Sequence, residues 1–333
     1  MENSDWWSSS PERFCEGRIE TTLSVRRFFL NWKLILLNEF GPPFEKFCMI
    51  EKPDISDKKL LVALNENYSI QANHIEFLPV GNDASAFAYR VETKNQTSYF
   101  LKLKKGLSNF AGVFVPRFLK DSGIEQAVAP LPTKTRGLSV KMDEFDLILY
   151  PFIIGNEAMQ VGMTDAQWTE FGATLKRIHA TKLDGKTLPY VAQESFTPKW
   201  SKHAKTLHEQ ANAQNYDDPY GKELAIFWKR NNEKIQTLIE RAEMIGKRLQ
   251  QTDLDFVLCH ADIHTANILI TQEQELFIVD WDDVSFSPKE RDLMFVSDEG
   301  TVETREENFS SICYRTNCVI MSLRAYFAKQ SPV

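Results

Sequence analysis

The sequence lacks a long apolar run, and this absence argues against a membrane-spanning protein. The best apolar segment, residues 28–37, is interrupted by Asn31 and Lys33, whereas a transmembrane helix needs about 20 predominantly apolar residues. The Arg26-Arg27 pair before this segment resembles a twin-arginine export signal, but the apolar stretch behind it is too short for one. We therefore expect a cytoplasmic protein with no membrane partner.

Cysteine is scarce, and the cysteines form no CxxC pair. An odd number of five indicates reduced cytosolic thiols and excludes the disulfide framework of a small secreted protein. Four of them lie near the two ends of the chain, and Cys259 alone lies in the long stretch between.

Positive charge is not in excess either. The chain has 39 Lys and Arg against 46 Asp and Glu, a formal net charge of −7, which disfavours a protein that coats nucleic acid. A small cationic substrate is electrostatically more favourable. The 43% of hydrophobic residues can form an ordinary globular core, and 333 residues suggest about two domains.

The hydrophobic pattern changes along the chain from strands to helices. A first helix begins near Ile55 with Asp54 or Ser56 as its cap, and Thr164 can cap a later helix with apolar residues at three- and four-residue steps. Strands are predicted at residues 74–78, 86–91, 99–103, 145–150, 256–259 and 276–279, and further helices at 114–122 and 222–250. The fold class is therefore α+β.

The densest chemical signal is HADIHTAN at residues 260–267, followed by DWD at 280–282. In kinase-type phosphoryl transfer, one carboxylate orients the attacking hydroxyl, and an Asn and a second carboxylate hold Mg²⁺. Asp262 and Asn267 have the spacing of the first pair, and Asp280 follows the next strand. The oxygen atoms of Asn267 and Asp280 suit Mg²⁺.

Such a site also needs groups that bind the nucleotide, and the strand-rich half offers them. Lys102 can pair with phosphates, and the loop containing Gly81, Asn82 and Ser85 can offer backbone N–H groups and a hydroxyl. The segment Pro151-Phe152-Ile153 then joins the two halves, where adenine can hydrogen-bond to the backbone.

These residues resemble the aminoglycoside phosphotransferase family, which has a bilobal protein-kinase-like fold. The segments GNDASAFAY (81–89), SYFLKLK (98–104), TPKW (197–200) and SPKERDLMF (287–295) look most like its spectinomycin phosphotransferase branch. The resemblance implies ATP and Mg²⁺ as cofactors, Asp262 as catalytic base, Asn267 and Asp280 as metal ligands, and Lys102 on the ATP phosphates. It also implies a cationic aminocyclitol as substrate and a role in antibiotic resistance.

The resemblance divides the chain into four parts. Residues 52–152 are the small β-rich N-lobe and 153–297 the helical C-lobe, whereas 1–51 and 298–333 are divergent. Two departures from the family pattern leave activity open: no acidic residue lies between Lys102 and Asp121, with Phe110 where the Lys partner Glu would align, and the C-terminal tail is short.

Several motifs have more than one interpretation. His260 is expected to hold its loop by hydrogen bonds, His264 has no assigned role, and the two have a spacing that a zinc site with Cys259 and Asp262 could use. Asp282 and Asp283 can face a cationic substrate or simply be solvated. The pair Arg291-Asp292 is expected to tie its segment to the catalytic loop. The alternative functions are a metabolic kinase of choline or homoserine type and a catalytically silent kinase-like binding module.

Overall fold

The computed structural model describes residues 51–294 except 81, 82, 84, 107–109, 184–187, 214, 215, 217 and 218. The predicted terminal segments 1–51 and 298–333 lie outside these residues, apart from Glu51. The described residues form two compact units: one contains the residues up to 106 and Pro130–Phe152, the other residues 110–129 and 153–294. Within the described ranges, no helix is both long and apolar enough to cross a membrane.

The first unit is built on a five-stranded antiparallel sheet with the strand order β1-β2-β3-β5-β4. Four of its strands contain the segments that the alternating pattern predicts, and the short strand β4 was not predicted. The strands are β1 (Ala72–Leu78), β2 (Ala86–Thr93), β3 (Ser98–Lys105), β4 (Val140–Met142) and β5 (Phe145–Pro151).

One helix, α1 (Asp57–Tyr68), contributes to the core of this unit. Ser56, one of the two predicted caps, accepts a hydrogen bond from the backbone N–H of Lys59 at 3.3 Å. Leu60 and Leu64 are fully buried in the same cluster as Leu101 and Leu103 of β3. Burying each such side chain contributes roughly 1.5–3 kcal/mol. Because Leu101 and Leu103 are held in this core, the residues that alternate with them in β3 have their side chains on the opposite face of the sheet.

The second unit combines helices with two small three-stranded sheets, ordered β10-β9-β6 and β7-β11-β8. Its helices are α2 (Ala111–Asp121), α3 (Ala158–Val161), α4 (Asp165–Ala180), α5 (Lys199–Ala213), α6 (Pro219–Arg230) and α7 (Asn232–Gln250). Its strands are β6 (Gly155–Glu157), β7 (Ala192–Gln193), β8 (Val257–Cys259), β9 (Ile268–Thr271), β10 (Leu276–Ile278) and β11 (Ser285–Ser287). Helix α2 is therefore in this unit, although its residues fall within the predicted N-lobe, 52–152.

Helix α4 begins as predicted at a capping box. The Thr164 side chain accepts from the Gln167 N–H, and the Gln167 side chain accepts from the Thr164 N–H at 2.8 Å. Phe171, Leu175 and Ile178 are buried in the main core of the unit. The helical spacing of these residues therefore predicts both the helix and its buried face correctly.

The single helix predicted over residues 222–250 is wrong. The structure has two helices, α6 and α7, separated at Asn231, whose side-chain Nδ2 donates to the Phe227 carbonyl at 2.9 Å. Asn favours such local side-chain to backbone bonds over continued helix. Helix α5, which was not predicted, packs with α6 and α7 around the buried Trp228.

Candidate functional site

The chain leaves β8 through a backbone bend at Ala261, whose φ is 68°. This left-handed conformation is uncommon for a residue with a Cβ. The carboxylate of Asp292 stabilises it, because it accepts the Ala261 N–H at 2.7 Å and the His260 N–H at 3.1 Å. The backbone immediately before Asp262 is therefore held in place from the segment that follows β11.

Asp292 itself is completely buried and is held by a residue of helix α4. The Nε2 atom of His179 lies 2.9 Å from an Asp292 carboxylate oxygen, and so donates to it. A buried carboxylate with three donors is well compensated for the loss of water. The prediction that Asp292 ties its segment to the loop of Asp262 is confirmed. His179 was missed, because it follows the apolar stripe of α4 without any motif of its own.

His260 is fully buried and uses both ring nitrogens inside the protein. Its Nδ1 accepts from the Asp262 N–H at 3.3 Å, and its Nε2 lies 3.0 Å from the Val279 carbonyl, to which it donates. Its ring also lies 4.6 Å from the Trp281 ring, centroid to centroid. His260 thus joins the loop of Asp262 to the segment around Asp280, which confirms its predicted holding role.

These two hydrogen bonds also argue against the zinc interpretation. A zinc ligand must offer the metal a nitrogen lone pair. In His260 the Nδ1 lone pair accepts the Asp262 N–H, and Nε2 carries the proton that it donates. The His260–His264 spacing is therefore not that of a metal site here.

Asn267 and Asp280 lie at the same end of the β9-β10 hairpin. Ile268 pairs with Ile278, and one residue further the Val279 N–H donates to the Asn267 carbonyl at 3.0 Å. Asp280 follows directly, with a left-handed φ of 61°. The hairpin therefore brings together two predicted site residues that are 13 positions apart in the sequence.

The side chain of Asn267 also reaches the loop of Asp262. Its Nδ2 donates to the Asp262 carbonyl at 2.9 Å, and this bond identifies Oδ1 as the atom that can serve as a metal ligand. Oδ1 of Asn267 and the carboxylate of Asp280 are hard oxygen donors of the kind that Mg²⁺ binds. The residues present therefore fit Mg²⁺ by the chemistry of their donor atoms.

Asp282 and Asp283 continue the acidic character beyond Asp280. Asp282 is partly buried and Asp283 keeps solvent access. Desolvation raises the pKa of Asp283, and the neighbouring carboxylates of Asp262 and Asp282 raise it further. The part of this rise that comes from the neighbouring carboxylates reflects their mutual repulsion, which a positive charge bound beside them would relieve.

Helix α2 packs directly against the backbone beside Asp280. A Cβ on Gly112 would lie 2.9 Å from the Trp281 carbonyl oxygen and 3.0 Å from the Asp282 Cα. Only glycine permits so close an approach. The first turn of α2 holds no acidic residue, and Phe110, just before it, is 49% exposed. The start of this helix therefore offers no carboxylate, as the sequence predicts.

The nucleotide residues predicted in the first unit lie on β3 and beside it. Lys102 is opposite Ala88 of β2 and Ile148 of β5, and it alternates with the buried leucines, so its side chain is on the other sheet face. The N–H and hydroxyl of Ser85 donate to Asp83 at 2.8 and 2.6 Å. Gly81 and Asn82 lie outside the described residues.

The predicted connector is extended at the end of β5. Pro151 is the last residue of that strand, and the Phe152 N–H donates to the Ser98 carbonyl at 3.4 Å. The Arg90 guanidinium lies 5.0 Å from the Phe152 ring centroid, within cation–π range. Ile153 is the first residue of this stretch that belongs to the second unit.

Comparison with known proteins gives a consistent result. The sequence model of the phosphotransferase enzyme family, APH, matches residues 76–310. A crystal structure of spectinomycin phosphotransferase in complex with ADP and spectinomycin is 30% identical, with a TM-score of 0.72, over 83% of this chain and 88% of that chain. The AMP-bound complex of that enzyme gives 29% identity and a TM-score of 0.69 over 83% and 90%.

A more distant similarity concerns the fold alone. The choline kinase of Streptococcus pneumoniae is 17% identical, with a TM-score of 0.51, over 83% of this chain and 92% of that chain. Among curated protein sequences, none matches the chain significantly.

Proposed function

The chain belongs to the phosphotransferase enzyme family, and from this membership we propose that it transfers the γ-phosphoryl group of ATP to a hydroxyl of a small cationic, spectinomycin-like aminocyclitol. The predicted α+β, protein-kinase-like fold is confirmed by the same comparisons. One observation carries the proposal: the hydrogen bonds of the second unit join Asp262, Asn267 and the segment of Asp280 in one place.

The proposed chemistry assigns each of these side chains a task. Asp262 accepts the proton of the acceptor hydroxyl as its oxygen attacks the γ-phosphorus, and the bond to the β-phosphate oxygen breaks to release ADP. Asn267 and Asp280 would hold Mg²⁺. When bound there, the ion neutralises charge on the phosphate oxygens. Since phosphoryl transfer depends on positioning and electrostatics, the rigid backbone around Asp262 is the relevant contribution of the fold.

In the same proposal, residues predicted from the sequence bind the phosphates and the adenine of the nucleotide. Lys102 binds ATP phosphates, and the loop of Gly81, Asn82 and Ser85 contributes donors. To do so, the N–H and hydroxyl of Ser85 would exchange the Asp83 carboxylate for a phosphate oxygen. The backbone of Pro151, Phe152 and Ile153 binds adenine. The relatives crystallised with ADP and AMP support a nucleotide as the ligand.

The substrate class rests on two observations. The relative with 30% identity binds spectinomycin, an observation made on that protein, and Asp282 and Asp283 here are solvent-accessible carboxylates of the kind that suit an ammonium group. A protein of this specificity would inactivate an antibiotic of this type and so confer resistance.

A catalytically silent nucleotide-binding protein is the second candidate, and helix α2 favours it. Kinases hold the phosphate-binding Lys with a Glu of this helix. The acidic residue within α2 is Asp121 at its end, and Arg117 Nε donates to its carboxylate at 3.0 Å. Binding of ADP without transfer to any acceptor would support this second function.

The decisive experiment measures transfer from [γ-³²P]ATP with Mg²⁺ to spectinomycin, to aminoglycosides and to choline. We expect a labelled aminocyclitol product, and we expect Asp262→Asn to lower kcat by roughly 10²–10⁴-fold, because a general base is typically worth that much. Asp255→Asn, in the exposed loop before β8, is the matched control and should behave as wild type. Near-full turnover by Asp262→Asn would show that the catalytic assignment is wrong, and labelling of choline alone would change the substrate class.

A further inference from the structure

His264 lies in the loop between Asp262 and Asn267, and its ring orientation is fixed by the backbone. Its Nδ1 accepts the Ala266 N–H at 3.2 Å and so caps the short turn Thr265–Asn267. A neutral ring that accepts at Nδ1 carries its proton on Nε2. Burial lowers the pKa of His264 and outweighs the nearby negative charge of Asp262, which raises it. The lowered pKa favours this neutral form.

The protonated nitrogen of His264 faces the proposed base. Its Nε2 lies 3.9 Å from an Asp262 carboxylate oxygen. This distance is too long for a direct hydrogen bond, so Nε2–H can donate to a group that is bound beside the Asp262 carboxylate. The two side chains keep 29% and 21% exposure, so a substrate can reach both. His260, by contrast, is fully buried.

We propose that His264 Nε2–H donates a hydrogen bond to an oxygen of the phosphoryl group during its transfer, next to the hydroxyl that Asp262 deprotonates. This inference rests on the proposed function and adds a catalytic residue to it. The phosphoryl oxygens are the chemically favoured acceptor, because they carry the negative charge of the transition state. A donor to the attacking hydroxyl oxygen would instead reduce its nucleophilicity. His264 transfers no proton in this role.

A purely structural role for His264 makes a different prediction, and two substitutions separate the two roles. Asn places an oxygen near the position of Nδ1 and is a good capping residue, so His264→Asn keeps the cap and loses the Nε2 donor. Gln places its amide near the position of Nε2, so His264→Gln keeps a donor and loses the cap. We expect the Asn variant to fold as wild type and the Gln variant to be the more active one.

The experiment measures kcat and KM for [γ-³²P]ATP with Mg²⁺, using both water and spectinomycin as phosphoryl acceptors, and the melting temperature of each variant. We expect His264→Asn to lower kcat on the order of 10²-fold, as for loss of one preorganised transition-state donor, with KM for ATP nearly unchanged. His264→Gln should recover at least a tenth of the wild-type kcat. His203→Asn, on the exposed surface of α5, is the matched control.

The outcomes are distinguishable. Wild-type kcat in His264→Asn together with a lowered melting temperature in His264→Gln would show that His264 is only a cap and would overturn the inference. That result would leave the proposed function standing, provided that Asp262→Asn is inactive in the same assay. If neither substitution at 262 or 264 lowers transfer, or wild type transfers no phosphoryl group, both proposals are overturned.

Discussion

Asp292 fixes the loop of Asp262 by binding backbone N–H groups of that loop rather than its side chains. Its buried carboxylate accepts the N–H groups of His260 and Ala261 and the ring N–H of His179. A change at this residue therefore acts on Asp262 indirectly, by releasing the left-handed bend at Ala261. Asp292 is a positioning residue in this arrangement.

We predict that Asp292→Asn separates catalysis from nucleotide binding. The amide cannot accept with both of its ends, so at least one buried donor loses its partner, at a cost of about 1–3 kcal/mol of unfolding free energy. Displacement of Asp262 by about 1 Å would lower kcat roughly 10²-fold. Kinetics at a temperature where the variant is folded should show this loss with KM for ATP nearly unchanged. Equal changes in kcat and KM would contradict the positioning role, and Asp255→Asn again serves as control.

The sequence indicates the proposed site residues more clearly than the residues that hold them in place. Asp262, Asn267 and Asp280 have the spacing of a kinase-type site, and hydrogen bonds bring Asp262, Asn267 and the segment of Asp280 together. His179 carries no such signal, because its partner Asp292 is more than 100 positions away in the chain. The ring orientation of His264 is likewise not visible in the sequence, since it depends on which backbone N–H its Nδ1 accepts.

At the scale of elements, helix α2 is set by its contact with the segment that contains Asp280. Gly112 lets the helix backbone approach the Trp281 carbonyl, and the buried Ala111 and Val115 lie in the same core cluster as the Trp281 ring. A small displacement of this helix would therefore shift the backbone next to a proposed metal ligand.

We predict opposite effects for the same substitution in two helices. Gly172→Ala in α4 meets no atom within 4 Å and should raise the free energy of unfolding by about 0.5–1 kcal/mol, through better helix propensity. Gly112→Ala should lower it by about 1–3 kcal/mol, because the new Cβ would overlap backbone atoms. It should also lower kcat. Urea unfolding of both variants checks the signs, and stabilisation by Gly112→Ala would show that the close contact is not rigid.

At the scale of the whole molecule, periodicity identifies the strands of the five-stranded sheet and helix α4, but it misses helix α5, merges α6 with α7 and misses several short strands. The strands β1, β2, β3 and β5 and the helix α4 have clear patterns, and all are found. Strands β4, β6, β7 and β11 have two or three residues each, too few for a period to be recognised. Their positions depend on tertiary pairing, such as that of Gly155 with Thr271, which local sequence does not encode.

Lys102, which is proposed to bind phosphates, and Asp262, the proposed base, belong to different units. Nucleotide binding can therefore be tested separately from chemistry. A ligand that binds the native state stabilises it by about 2.7 kcal/mol at a concentration 100 times its Kd. We predict that ADP with Mg²⁺ raises the melting temperature of wild type and of Asp262→Asn equally, because the base is not needed for nucleotide binding. Lys102→Met should weaken this shift, since it removes the charge proposed to bind phosphates. Lys94→Met, at the exposed turn between β2 and β3, is the matched control. An undiminished shift in Lys102→Met would show that phosphate binding depends on other groups.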